Sequence, residues 1–236
     1  MKKLILLVLV AGLVAMTGCG GGDDGQDDAA AFINPKSGST NGAVPDERVG
    51  TTPPPAEAGE GEQLVKVART AGCFLMRGLP AKNEKVLPAD AAPPEYEHDP
   101  PMSGPYVAPP HQQADGAYLT MPEDSAVVGA LNNGRMAFQY APDLPEEIQL
   151  EFKGLYDTMH GGTLFFPNSS MNYAVAATTW RSGLFCAGFE GDATLAAIRA
   201  FGKETWGQHG KVPVDKFPVE GPTPADPEEP GAGSND

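Results

Sequence analysis

The sequence predicts an α+β domain: an antiparallel sheet of about five strands, two to three helices and a long proline-rich loop. Three observations predict it. Apolar residues recur at helical spacing in three separate segments. Short strand-like runs crowd residues 125–188, with Asn- and Gly-containing turns between them. Between them and the first helical segment, residues 79–116 carry prolines too dense for helix or central strand.

The elements follow in order. In EGEQLVKVARTAGC, Leu64, Val67, Ala68 and Ala71 share a helical face, and Gly72 suits the stop. The proline-rich stretch then begins; Tyr96, Tyr106 and Tyr118 give it groups to pack, which favours an ordered loop. VVGAL and RMAFQYA read as two strands joined by Asn133-Gly134, a strong hairpin signal. Met136, Phe138 and Tyr140 fall on one face of the second strand. In APDLPEEIQLEFKGLYDTM, Asp143 or a neighbour caps a helix and Glu146 and Glu147 complement its dipole. Its stripe is Ile148, Phe152, Leu155, Tyr156 and Met159. TLFFP, YAVAATTW and GLFCAG are three more strands, with a turn at Arg181-Ser182-Gly183. The last helix is expected to be capped by Asp192 and to bury Leu195, Ile198 and Phe201.

The flanks differ from this body. Lys2 and Lys3 precede an apolar run from Leu4 to Met16 that ends in Met16-Thr17-Gly18-Cys19. That run is too short to span a bilayer and suits a signal-peptide core. The cysteine at its end resembles a bacterial lipobox, which implies cleavage before Cys19 and a diacylglyceryl anchor on its sulfur; a plain secretory signal is the other reading. The division expected is therefore residues 1–18 as a lipoprotein signal peptide, 19–62 as a disordered tether, 63–217 as the domain and 218–236 as a disordered acidic tail. Both flanks are rich in Gly, Asp and Pro and poor in large apolar residues. The predicted location is the extracytoplasmic side of a cell membrane. Two acyl chains suffice for stable attachment there.

The formal charge of -15 excludes nucleic acid as a partner, since phosphate neutralisation needs Lys and Arg. With Cys19 lipidated, Cys73 and Cys186 remain. An oxidising compartment makes them an expected disulfide, and two buried free thiols are the other arrangement. Closing so long a loop contributes up to roughly 4.7 kcal/mol in the chain-entropy account.

Little in the chain suggests catalysis. Four histidines, His98, His111, His160 and His209, show no i, i+3 or i, i+4 pairing. His98, His111 and His160 are the set from which a metal site could be assembled if they converged. Ser103 and Ser182 are each followed by glycine but lack the GxSxG context. There is no phosphate-cradling glycine loop.

Four stretches carry a family resemblance. They are ARTAGC at 68–73, DPPMSGPY at 99–106, VVGALNNGRMAFQY at 127–140 and AATTWRSGLFC at 176–186 followed by IRAF. In order and spacing they resemble the bacterial family called domain of unknown function 3105. The resemblance implies a loop histidine at the position of Tyr106, a second at Gly129, a glutamate at Asn132 and a third histidine at Asn133. Those groups would suit metal or acid–base chemistry, and this chain has none of them. Amide side chains bind transition metals poorly beside imidazole.

The function expected is thus a membrane-anchored extracytoplasmic module, structural or binding a protein or small molecule, without catalysis or cofactor. Tyr96, Tyr106, Tyr118 and Trp180 are the expected contact surface, between the proline-rich loop and the sheet. The alternative is a metal-binding protein or metal-dependent enzyme using His98, His111 and His160.

Overall fold

The computed structural model describes residues 37–53, 61–80, 82–159 and 161–213. They form an α+β body. Helix α1 (Gly61–Thr70) leads through Gly72, at φ 65°, into strand β1 (Cys73–Met76). Strands β2 (Val86–Leu87), β3 (Tyr106–Val107) and β4 (Gly116–Ala117) lie in the proline-rich stretch. Helix α2 (Asp124–Asn132), β5 (Met136–Tyr140), α3 (Glu146–Asp157), β6 (Thr163–Pro167), β7 (Val175–Thr179), β8 (Ser182–Cys186) and α4 (Asp192–Thr205) follow.

One six-stranded sheet runs β1-β8-β7-β5-β6-β4, and β2 and β3 form a small parallel pair. The pairs β1/β8, β8/β7 and β7/β5 are antiparallel; β5/β6 and β4/β6 are parallel. The sheet is mostly antiparallel, as expected, with two parallel pairs on its β6 side. The parallel steps arise because the connection from β5 to β6 is α3, a crossover that returns the chain in the same direction.

Strand alternation sorts the core into two layers. Met136, Phe138 and Tyr140 face the cluster that holds Leu64 of α1, Phe152 and Tyr156 of α3, and Leu195, Ile198 and Phe201 of α4. Ala137, Leu164 and Phe166 face the second cluster, with Val127, Val128 and Leu131 of α2, Tyr106, Tyr118 and Trp180. The helical stripes expected for α1 and α4 are those that pack, and so is that of α3 from Phe152 onward; Ile148, expected in it, is half-buried and lies outside the cluster. Cys73 and Cys186 are disulfide-bonded and tie β1 to β8 in register.

The expected 125–142 hairpin is not formed. Its first half is α2, and Asn133-Gly134 ends that helix. Asn133 N–H donates back to Gly129 and Ala130 carbonyls, and Gly134 at φ 92° turns the chain out. A short apolar run has no diagnostic period. The places on either side of β5 are taken by β6 and β7, so VVGAL closes its own backbone bonds and buries both sides of its coil.

Part of the expected tether is ordered. Residues 37–53 lie along the body: Ser39 bridges Gln113 and Pro45 bridges Tyr118. Asp46 N–H reaches Ala117 O at 2.9 Å, and Gly50 N–H reaches Asp157 Oδ2 at 2.9 Å. Arg48 pairs with the fully buried Asp46 at 2.8 Å and touches Gln149 and Tyr140. A gly- and polar-rich composition meant too little apolar surface to fold alone; here borrowed hydrogen bonds and an ion pair hold it. The proline-rich loop is ordered too over residues 79–80 and 82–116, with Met102 and Tyr106 buried, as is Tyr118 just beyond it. Residues 1–36, with the signal region and Cys19, and residues 214–236 lie outside the described part.

Three smaller expectations change. Pro145, not Asp143, is the N-cap of α3. Gly191, not Asp192, is the N-cap of α4, and Thr194 Oγ1 accepts the Glu190 N–H at 2.9 Å. The β7–β8 turn is Trp180-Arg181, with Arg181 at φ 63° and Thr179 paired with Ser182.

Candidate functional site

Beneath the proline-rich loop, the positions singled out by the family resemblance do come together. Helix α2 packs against β3 so closely that a Cβ on Gly129 would overlap the Val107 carbonyl oxygen. This brings the end of α2, with Asn132 and Asn133, beside Tyr106. Asn133 Nδ2 donates to Gln112 Oε1 and to Gly129 O at 3.3 Å. Gln112 is held in turn by the Ser37 carbonyl of the N-terminal segment. From the other side, residues 207–211 strap the α2–β5 turn: Gly207 N–H donates to Gly134 O and Lys211 N–H to Asn132 O at 2.9 Å. Lys211 Nζ then reaches the Tyr106 hydroxyl at 2.7 Å.

A buried ion pair braces the same corner. Arg135 Nε donates to Asp115 Oδ1 at 3.0 Å, and Arg135 Nη1 to the Asn133 carbonyl. Gly162 N–H reaches Asp115 Oδ2 at 3.1 Å, and Asp115's own N–H donates to Ser37 Oγ at 2.7 Å. Burial holds the Asp115 carboxyl above its ordinary value, an effect that Arg135 and the Gly162 N–H offset only in part. Asn132 Oδ1 is buried without a hydrogen-bond partner among the described residues.

Chemically this is a knot of amides, a phenol and cations, hydrogen-bonded to one another except at Asn132 Oδ1. A phenol and two carboxamides, with no side chain at Gly129, do not make a donor set for a transition metal. The four residues expected to form a contact surface are mostly interior. Tyr118 is fully buried and donates to Ala114 O at 2.7 Å. Tyr106 and Trp180 meet edge to face at 6.3 Å within the second core cluster. Aromatic rings next to a proline-rich loop are as useful for filling a core as for binding, and here three of four fill it.

Tyr96 is the exception. It is half-buried, donates to Pro105 O at 2.8 Å and lines an open cleft of about 370 Å³. The cleft also takes in Pro80, Lys82, Glu97, His98 and Ser103. Lys82 and Glu97 pair across it at 3.1 Å with both side chains exposed. Nearby, burial together with Asp99 and Glu123 pushes Asp124, in the first turn of α2, up to about 6.

The three histidines from which a metal site could be assembled are only partly described. His98 lines this cleft; His111 is exposed in the turn that Ala108 closes, and His209 is exposed on the strap. His160 lies outside the described residues. Among the described residues no group of three or more His, Cys, Asp or Glu is placed to hold a metal ion. No described helix is long and apolar enough to cross a membrane.

Sequence reasoning did not find Gln112, Asp115, Arg135 or Lys211. Each is polar, isolated in its local pattern, and becomes part of the site only through contacts made by distant segments.

No curated protein and no solved structure matches the chain. The model of a family described as protein of unknown function (DUF3105) matches residues 90–215 of the 236, from the proline-rich loop through α4 and the strap. The match takes in every residue of the polar knot except Ser37, and on it the chain belongs to the DUF3105 family.

Proposed function

We propose that this protein is a lipid-anchored, extracytoplasmic binding module without catalytic chemistry. One observation carries the non-catalytic part. Where the family resemblance implies imidazoles and a carboxylate, this chain places Tyr106, Gly129, Asn132 and Asn133, closed over by Gln112 and Lys211. A knot whose donors and acceptors are mostly spent on each other has little left to offer a reacting group. The cleft beside Tyr96 combines concavity, an aromatic edge and exposed charged groups, and it is the binding site in this reading.

The anchoring part rests on the N-terminal sequence. If Cys19 carries the lipid, only residues 20–36 separate it from the docked segment that begins at Ser37. Seventeen residues span at most about 60 Å. The body would then be held closer to the membrane than a tether running to residue 62 allows.

The test has two arms. Palmitate labelling and membrane fractionation of the full chain against Cys19→Ala should show lipid and membrane association lost together. Metal analysis of the purified chain, with and without chelator, should show no stoichiometric metal and an unchanged unfolding curve. A soluble, unlabelled parent protein would end the anchoring reading. A divalent ion lost on His98→Ala or His160→Ala would replace the non-catalytic reading with the metal-binding one.

A further inference from the structure

The two edges of the sheet are finished differently. At β4, residues 39–46 run along the edge: Asp46 N–H reaches Ala117 O, and Leu119 N–H reaches Val44 O at 2.7 Å. At β1 no such cover exists among the described residues; β8 is its one strand neighbour. An open edge strand invites pairing or docking. Here it also carries an apolar patch. Phe74 is 58 % exposed and Val65, on the facing turn of α1, is 41 % exposed. With Arg69, Arg77 and Cys73 they border a concavity of about 520 Å³.

Its charge is opposite to that of the chain. Residues 63–77 hold Lys66, Arg69 and Arg77 and no acid, in a protein of net charge -15; of these Arg69 and Arg77 line the concavity, and Arg77 pairs with Glu204. A second copy docking edge to edge would set these cations against themselves. An acidic occupant fits instead, and the chain contains one. Residues 214–236 carry Asp215, Glu220, Asp226, Glu228, Glu229 and Asp236 against one Lys216. Pro218, Pro222, Pro224, Pro227 and Pro230 suit docking on an exposed aromatic ring, which Phe74 supplies in this groove.

Reach is sufficient. Arg77 already pairs with Glu204 at 2.7 Å in the last turn of α4, and Pro213 is nine residues farther along. The 23 residues beyond span up to roughly 75 Å. Linkage in one chain also gives the segment a high effective concentration at the groove, on the order of millimolar.

We propose that segment 214–236 docks on the groove formed by Val65, Arg69, Phe74 and Arg77, covering the β1 edge with its own acidic, proline-rich chain. The segment acts as an internal occupant that an acidic partner strand would have to displace.

Hydrogen exchange on the full chain tests this. The readout is peptides covering residues 61–77, with β5 as the internal reference. Neutralising the segment (Glu220→Gln, Asp226→Asn, Glu228→Gln, Glu229→Gln) should speed exchange at β1 several-fold and leave β5 unchanged. Arg69→Glu, Phe74→Ala and 1 M salt should each do the same, and a chain ending at Pro213 should regain protection when the free 214–236 peptide is added. Equal β1 exchange in parent and neutralised chain overturns the proposal. So does β1 protection that rises with protein concentration, which would make a second copy the occupant.

Discussion

The Lys211 ammonium donates a 2.7 Å hydrogen bond to the Tyr106 hydroxyl and stands 5.1 Å from the centre of the same ring. These residues are 105 positions apart, one in the proline-rich loop and one in the strap after α4. Their contact closes the polar knot from the solvent side. It also explains how a buried tyrosine sits where the family resemblance implies an imidazole: its hydroxyl is satisfied by a cation that reaches in from the surface.

Lys211→Met should therefore cost about 0.5–1 kcal/mol in urea unfolding, and Tyr106→Phe a similar amount. The double variant should cost less than the sum, because each single change removes the same bond. Full additivity would mean that the contact contributes nothing.

A second expectation concerns Gly129. Gly129→His should not rebuild a histidine site, because even a Cβ there collides with the Val107 carbonyl. The variant should lose several kcal/mol of stability, or fail to fold, and should take up no metal when Asn133→His is added. Tight zinc binding by that pair would show that the corner opens easily.

Gly154 gives a test whose sign is diagnostic. Alanine for glycine inside a helix ordinarily stabilises by about 0.5–1 kcal/mol. In α3 a Cβ at Gly154 would overlap the Thr51 carbonyl oxygen of the docked N-terminal segment. Gly154→Ala should instead destabilise, and should raise protease cleavage within residues 37–53. A stabilised protein would mean that this segment does not lie on α3.

Asp124 predicts a pH dependence. Its folded pKa, near 6, lies above the ordinary carboxylate value of 3.8, because burial and the neighbouring Asp99 and Glu123 disfavour its charge. The folded state then binds more protons than the unfolded state between those values. Stability contributed by this group is full below about pH 4, declines as pH rises to about 6, and is flat above. With part of the group in solvent, the change should be roughly 1–2 kcal/mol. Asp124→Asn should remove it and leave the protein more stable at pH 7; pH-dependent denaturation of both proteins decides.

The disulfide supplies a fifth expectation. Cys73 and Cys186 close a loop of 113 residues. Replacing both by serine should cost about 4–5 kcal/mol on the chain-entropy account. Loss should appear first as faster exchange at β1, which that bond fastens to β8.

Several parts of this molecule are legible in its residues alone. α1, α3 and α4 each have a long apolar stripe of period near 3.6, and each packs by that stripe, Ile148 of α3 excepted. Strands β5 to β8 alternate or run apolar between turn residues. The cysteine pairing followed from there being two left. The 125–131 run fits helix and strand equally well, because seven apolar and small residues carry no period; the filled places beside β5 decide between them.

The order of residues by themselves thus determined the α+β class, the stripes that become its core, its acidic charge and the absence of imidazole at the family's expected positions, because these depend on composition and local period. Tertiary structure alone decided that residues 37–53 belong to the body, that Tyr106, Tyr118 and Trp180 are interior, and that Gln112, Asp115, Arg135 and Lys211 meet at one corner. Those facts rest on hydrogen bonds and ion pairs between segments far apart in the chain, and such contacts leave no period in the sequence to read.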